Sequence, residues 1–172
     1  MRNARSRPVY RAAAQFVAAA SASPFFEIAG ATGRKVRMLS IRVTGPTLTA
    51  VGYHSIQVGK YSANTTVGTA TDLTKVPLDS KSPPSIASVC RVFTAAPTVG
   101  AIVGLIGSQR ILAQATTAAA AGTVDGVAWD FGQIGDAEGA VLLTAAEAIA
   151  LTFAAAPATA VTMSIEVEWT EE

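Results

Sequence analysis

The chain has 172 residues, of which 50% are apolar, 15% charged and 6% aromatic. That is enough material for one compact domain with a full core of small and β-branched side chains. A single cysteine, Cys90, excludes an internal disulfide and a cysteine-built zinc site. The net charge of +1 hides a division: all thirteen Lys and Arg lie at or before Arg110, whereas nine of the twelve acids follow it. Opposite charges divided in this way can neutralise each other across neighbouring strands or meet between subunits. So low a charge content also leaves less polar surface than a free monomer usually shows, which favours an oligomer with covered faces.

Residues 1–22 carry Arg2, Arg5, Arg7 and Arg11, followed by an alanine-rich run. The pattern imitates a secretory signal, but the run contains no leucine and Gln15 interrupts it. The expected structure is an extended, basic N-terminal arm that docks on a partner. Deleting residues 1–22 is then expected to leave a folded oligomer with weakened docking. No stretch reaches the roughly 18 uncharged apolar residues of a membrane span. VGAIVGLIG is too short, and no membrane partner is expected.

From residue 23 to 172, period-two alternation predicts strands separated by turn formers. PFFEIAG is a short strand. In KVRMLSIRVTGP, Leu39, Ile41 and Val43 share one face while Met38, Ser40 and Arg42 take the other, and Gly45-Pro46 predicts a turn. A strand follows in TAVGYHSIQVGKYS. The Pro-bearing stretch from Ser62 to Ser85 predicts a long loop with room for a short edge strand. Further strands are predicted in IASVCRVFTAAP, RILAQATT, GVAWDFGQ and EAIALTFAA. In the closing VTMSIEVEWTEE, Val161, Met163, Ile165, Val167 and Trp169 alternate with polar residues. About eight strands at this spacing predict an all-β fold, a jelly-roll or two-sheet antiparallel β-sandwich with the arm preceding it.

Motifs for chemistry are sparse. His54 is the only histidine and lies in a strand alternation, so a half-buried strand histidine is the expected reading. Cys90 reads as a small buried hydrophobe. Asp125 and Asp130 flank GVAW, and Asp136 and Glu138 sit beside glycines, the pattern of loop acids that satisfy turns. GATGRK, from Gly30 to Lys35, lacks the spacing of a phosphate loop and precedes a strand. Asn64-Thr65-Thr66 matches a glycosylation sequon by composition alone. The arginines raise the possibility of nucleic-acid contact, but the acidic rear half and the lack of an aromatic-interleaved basic face argue against specific binding. No catalytic, cofactor or metal site is expected.

The stretches FFEIAGATGRKVRMLSIRVTG, LTKVPLDSKSPPSIASV, VFTAAPTVG and LLTAAEAIALTFAAAPATAVTMSIEVEWTEE together resemble tailed-bacteriophage capsid decoration, or cement, proteins with a jelly-roll body. The resemblance covers most of the chain from about Pro24 and rests on patterning and turns. It implies a cofactor-free virion protein, a homotrimer on the outer surface of the phage head that clamps neighbouring subunits of the major capsid protein. Arg2, Arg5, Arg7 and Arg11 would dock the arm. Other expectations compatible with the pattern are a head fibre base, connector or tail protein, or a secreted carbohydrate-binding β-sandwich, which would need exposed aromatics.

Overall fold

A computed structural model describes residues 8–30, 35–49, 51–63, 68–85, 89–98, 100–115, 125–132, 142–143 and 147–171. All regular structure among them is strand: β1 (Val9–Ala18), β2 (Pro24–Ala29), β3 (Val36–Leu48), β4 (Gly52–Tyr61), β5 (Ala70–Asp72), β6 (Val76–Pro77), β7 (Val89–Phe93), β8 (Ile102–Ala115), β9 (Gly126–Asp130), β10 (Leu142–Leu143), β11 (Ala148–Phe153) and β12 (Val161–Glu171). The eight expected strands are present, and the all-β class holds. The additions are β1 and the short β5, β6 and β10.

β1 overturns the expected extended arm. Val9 to Ala18 pairs with β12 through an unbroken antiparallel ladder, from Val9 opposite Thr170 to Ala18 opposite Val161. Tyr10, Ala12, Phe16 and Ala18 are buried, whereas Arg11, Ala13, Gln15 and Val17 are exposed. The period is therefore two, although four of the ten residues are alanines with strong helix propensity. Pairing with β12 and burial of two aromatic rings outweigh that weak local preference. The Tyr10 ring stacks on Trp169, with centroids 5.9 Å apart.

The expected two-sheet sandwich is also corrected. The strands follow one path, β5-β7-β2-β11-β4-β8-β3-β12-β1-β6, with β9 and β10 laid beside β3. This is one large, mixed, strongly curled sheet, a half-barrel. The join lies at β3, whose long edge is shared by three partners. Val36 and Arg37 pair with β10, Ser40 to Thr44 with β9, and Thr47 and Leu48 with Gln114 and Ala115 of β8. That last, parallel contact connects two runs of antiparallel strands. Two residues of pairing between segments more than sixty apart leave no periodic trace in the sequence.

Irregularities in β3 revise two local expectations. The register against β12 skips Leu39, pairing Glu168 with Ser40 and Trp169 with Met38. This bulge turns Met38 onto the core side, where it is fully buried, instead of the face shared with Arg42. Gly45 adopts φ 63° inside the strand, so Gly45-Pro46 forms a bend within β3 and the expected turn is absent there.

The core fills the curl. Phe26, Ile28, Ile56, Val58, Ile111, Ile149 and Leu151 come from one end of the path, and Ile41, Val43, Met163, Ile165, Val167 and Trp169 from the other. Phe25 bridges them, with its ring 6.2 Å from Phe16 and 4.8 Å from Phe153. Burial of each large side chain stabilises the fold by about 2–3 kcal/mol.

Cys90 belongs to this core, 2% exposed. Burial pushes its thiol up to about 12, with Asp72 adding to and Lys75 opposing the shift. The thiol will therefore react slowly with Ellman's reagent at pH 8 in the native protein and promptly in denaturant; equal rates would contradict its burial. Because the folded-state value exceeds the ordinary 9.0, the stability contributed by the protonated thiol is complete below about pH 9 and is lost as pH rises toward 12. Replacement by Ala should flatten that part of the alkaline stability curve.

Candidate functional site

The predicted docking arginines separate. Arg2, Arg5 and Arg7 lie outside the described residues. Arg11 stands on the outer face of β1, where its Nε donates to Glu168 Oε1 at 2.9 Å and its Nη2 contacts the same oxygen. The hydrogen bond and charge of Glu168, with Glu166 adding, hold the Arg11 guanidinium above its ordinary pKa.

Register explains this contact. Successive strand pairings place Arg11, Glu168, Ser40 and Asp130 in one row across β1, β12, β3 and β9, and Ala13, Glu166, Arg42 and Ala128 in the next. Ser40 Oγ donates to Glu168 Oε2 at 3.4 Å. The rows border a shallow depression of about 250 Å³. Together with Lys60–Glu147 at 3.1 Å, they show basic residues of the first half meeting acids of the second within one chain. Arg11→Ala should cost less than about 1 kcal/mol, because an exposed pair is screened by water. Urea midpoints in low and high salt should show the difference shrinking with salt; a loss of several kcal/mol would contradict a surface role.

The other sequence candidates have structural roles where they are described. His54 is half-buried, its ring edge-on to Phe153 with centroids 6.1 Å apart. Asp125 accepts from the Leu112 and Gly126 amides at 2.6 and 2.9 Å, and Asp130 from the Gly132 amide at 3.1 Å. Both acids thus tie loop backbone to the sheet, as expected of them. Asp136, Glu138, the sequon and most of GATGRK lie outside the described residues. Among the described residues, no group of three or more His, Cys, Asp or Glu is placed to hold a metal, and no helix is long and apolar enough to cross a membrane. Of the aromatic side chains, all described, only Tyr53 is exposed, with Arg110 over its ring at 4.8 Å.

The feature missed in the sequence is the first half of β8. The sequence pattern predicts a strand only from Arg110, and its preceding apolar run reads as a segment too short to span a membrane. In the structure β8 begins at Ile102 and pairs with β4 from Tyr61 down to Gly52. Ile102, Val103, Leu105 and Ile106 are exposed by 52, 63, 54 and 37%. The β4 register skips Val103 and Ile106, so two bulges bring four apolar side chains of a five-residue stretch to the surface. On its other side, the described strand pairing of β8 is confined to Gln114 and Ala115. An uninterrupted apolar run would ordinarily signal a strand buried on both faces. Here the same pattern marks an exposed ribbon.

Comparison with protein-family models, curated proteins and solved structures returns no match.

Proposed function

We propose that the chain is a non-enzymatic virion structural protein, a decoration protein that binds the outer surface of a phage head as an oligomer and stabilises it. The observation that carries this reading is the exposed apolar ribbon Ile102–Ile106 on an otherwise well-filled strand body. Contiguous exposed apolar surface of this kind marks protein contact sites. The ladder between β1 and β12 ties the beginning of the described chain to its end. A body tied in this way, with an adhesive surface, suits a clamp: several modest contacts become effectively intramolecular once the first has formed.

The major capsid protein is the proposed partner. The basic segment holding Arg2, Arg5 and Arg7 would supply contacts to its acidic surface, while Arg11 serves the sheet. The test mixes the purified chain with expanded phage heads lacking decoration and measures co-sedimentation and the temperature at which the heads rupture. Saturable binding with a raised rupture temperature is expected. No binding at tens of micromolar protein would reject the reading. Variants in which Arg2, Arg5 and Arg7 become Ala should fold normally and bind more weakly; unchanged binding would remove the basic segment from the contact.

A further inference from the structure

We infer that the exposed half of β8 is the seam between copies of this chain, with β8 of one copy lying against β8 of its neighbours. The inference rests on the assembling reading above and names the occupant of its apolar ribbon.

Three observations select a second copy. Residues 101–107, AIVGLIG, contain no charged or strongly polar side chain. Such a surface meets its own image without like-charge repulsion, as a two-fold contact between copies requires. Among the described residues no strand pairs with the outer edge of Ile102–Ile106, and no Lys, Pro or inward charge interrupts the ribbon. Bulges are its one edge protection, but the side chains they turn outward, on either side of Gly104, are all apolar, so they enlarge the adhesive surface. Gly104 itself has open space where a Cβ would stand.

Four side chains, 37–63% exposed, leave on the order of 400 Å² of apolar surface, about half of the roughly 800 Å² that each partner buries in a stable pair, so a seam here draws the rest of its area from its border. The exposed continuation Ser108, Gln109 and Arg110 provides a polar border beside it. An uncharged centre with a polar rim is the usual anatomy of a specific contact.

The test is the solution mass of the full chain by sedimentation equilibrium, for the native protein and for Val103→Glu and Leu105→Glu. Both positions are more than half exposed, so the variants should keep the native β-sheet circular dichroism and a cooperative melt, at a temperature lowered only by the loss of the assembly. The native protein should be a closed multimer and each variant a single chain at the same concentration. Gly104→Cys supplies a second readout: a short thiol cross-linker should join copies through this position, because Cys90 is buried. A single-chain mass for the native protein, a broad ladder of species, or a folded variant that keeps the native multimer would overturn the seam. The two proposals fail separately. A native monomer that still binds heads removes the seam and keeps the decoration role, whereas a multimer that dissociates in the variants but ignores heads does the reverse.

Discussion

A chain lacking residues 1–18 should fail to fold. The deletion removes β1, and with it Tyr10, Ala12, Phe16 and Ala18 from the core. Burial of the two aromatic side chains is worth about 2–3 kcal/mol each, and the Tyr10–Trp169 stack adds roughly 1 kcal/mol. The deletion also exposes one edge of the eleven-residue β12 and the buried ring of Trp169. These losses rival the roughly 5–15 kcal/mol by which a domain of ordinary stability is held folded. The truncated chain should lack a cooperative urea transition and collect in the insoluble fraction. A synthetic peptide spanning residues 8–20, added during refolding, should restore solubility by supplying the missing strand. Removing residues 1–7 alone should leave the transition in place. A truncated chain that melts like the native protein would show that the β1 ladder is dispensable, and the extended-arm expectation would return.

The second large effect is expected at Arg91. Glu27 of β2 is completely buried, and Arg91, its cross-strand neighbour on β7, donates from Nη2 to Glu27 Oε1 at 3.1 Å. The Arg91 side chain is 21% exposed and its guanidinium lies 5.3 Å from the Phe93 ring centroid. Arg91→Met takes a cationic partner from a carboxylate that water cannot reach and should cost several kcal/mol, about 3–5 kcal/mol at most. Glu27→Leu should cost less, because the partly exposed guanidinium can turn toward solvent. The double variant should recover most of the loss, since an apolar pair of similar volume avoids the desolvation of both charges. Urea unfolding of all four proteins measures the coupling. Simple additivity of the two single losses would show that the pair is not an energetic unit.

Both predictions turn on features that a linear reading grasps unequally. The closing strand was legible because Val161, Met163, Ile165, Val167 and Trp169 carry an uninterrupted period of two, and all five are buried. β11 was legible for the same reason, through Ile149, Leu151 and Phe153, despite alanines that prefer helix. β1 carried that period too, in Tyr10, Ala12, Ala14 and Phe16 opposed by Arg11 and Gln15. Its alanines, and the arginines that precede it, matched the composition of a tail more strongly than its pattern matched a strand. The pairing of Glu27 with Arg91 joins residues 64 apart, and neither residue has a local feature naming the other.

Taken alone, then, the order of residues determined the all-β class, eight of the strands, the inward faces of most of them and the absence of a recognisable catalytic motif. These follow from alternation, turn formers and composition, which act over a few neighbouring positions. Tertiary structure decided that the alanine-rich segment pairs with β12, that β3 and β8 join the strands into one curled sheet, and that Ile102–Ile106 stays on the surface. Those outcomes depend on partners distant in the chain: a strand's ladder forms with whichever edge the fold brings beside it, and an apolar run is buried only if another layer covers it.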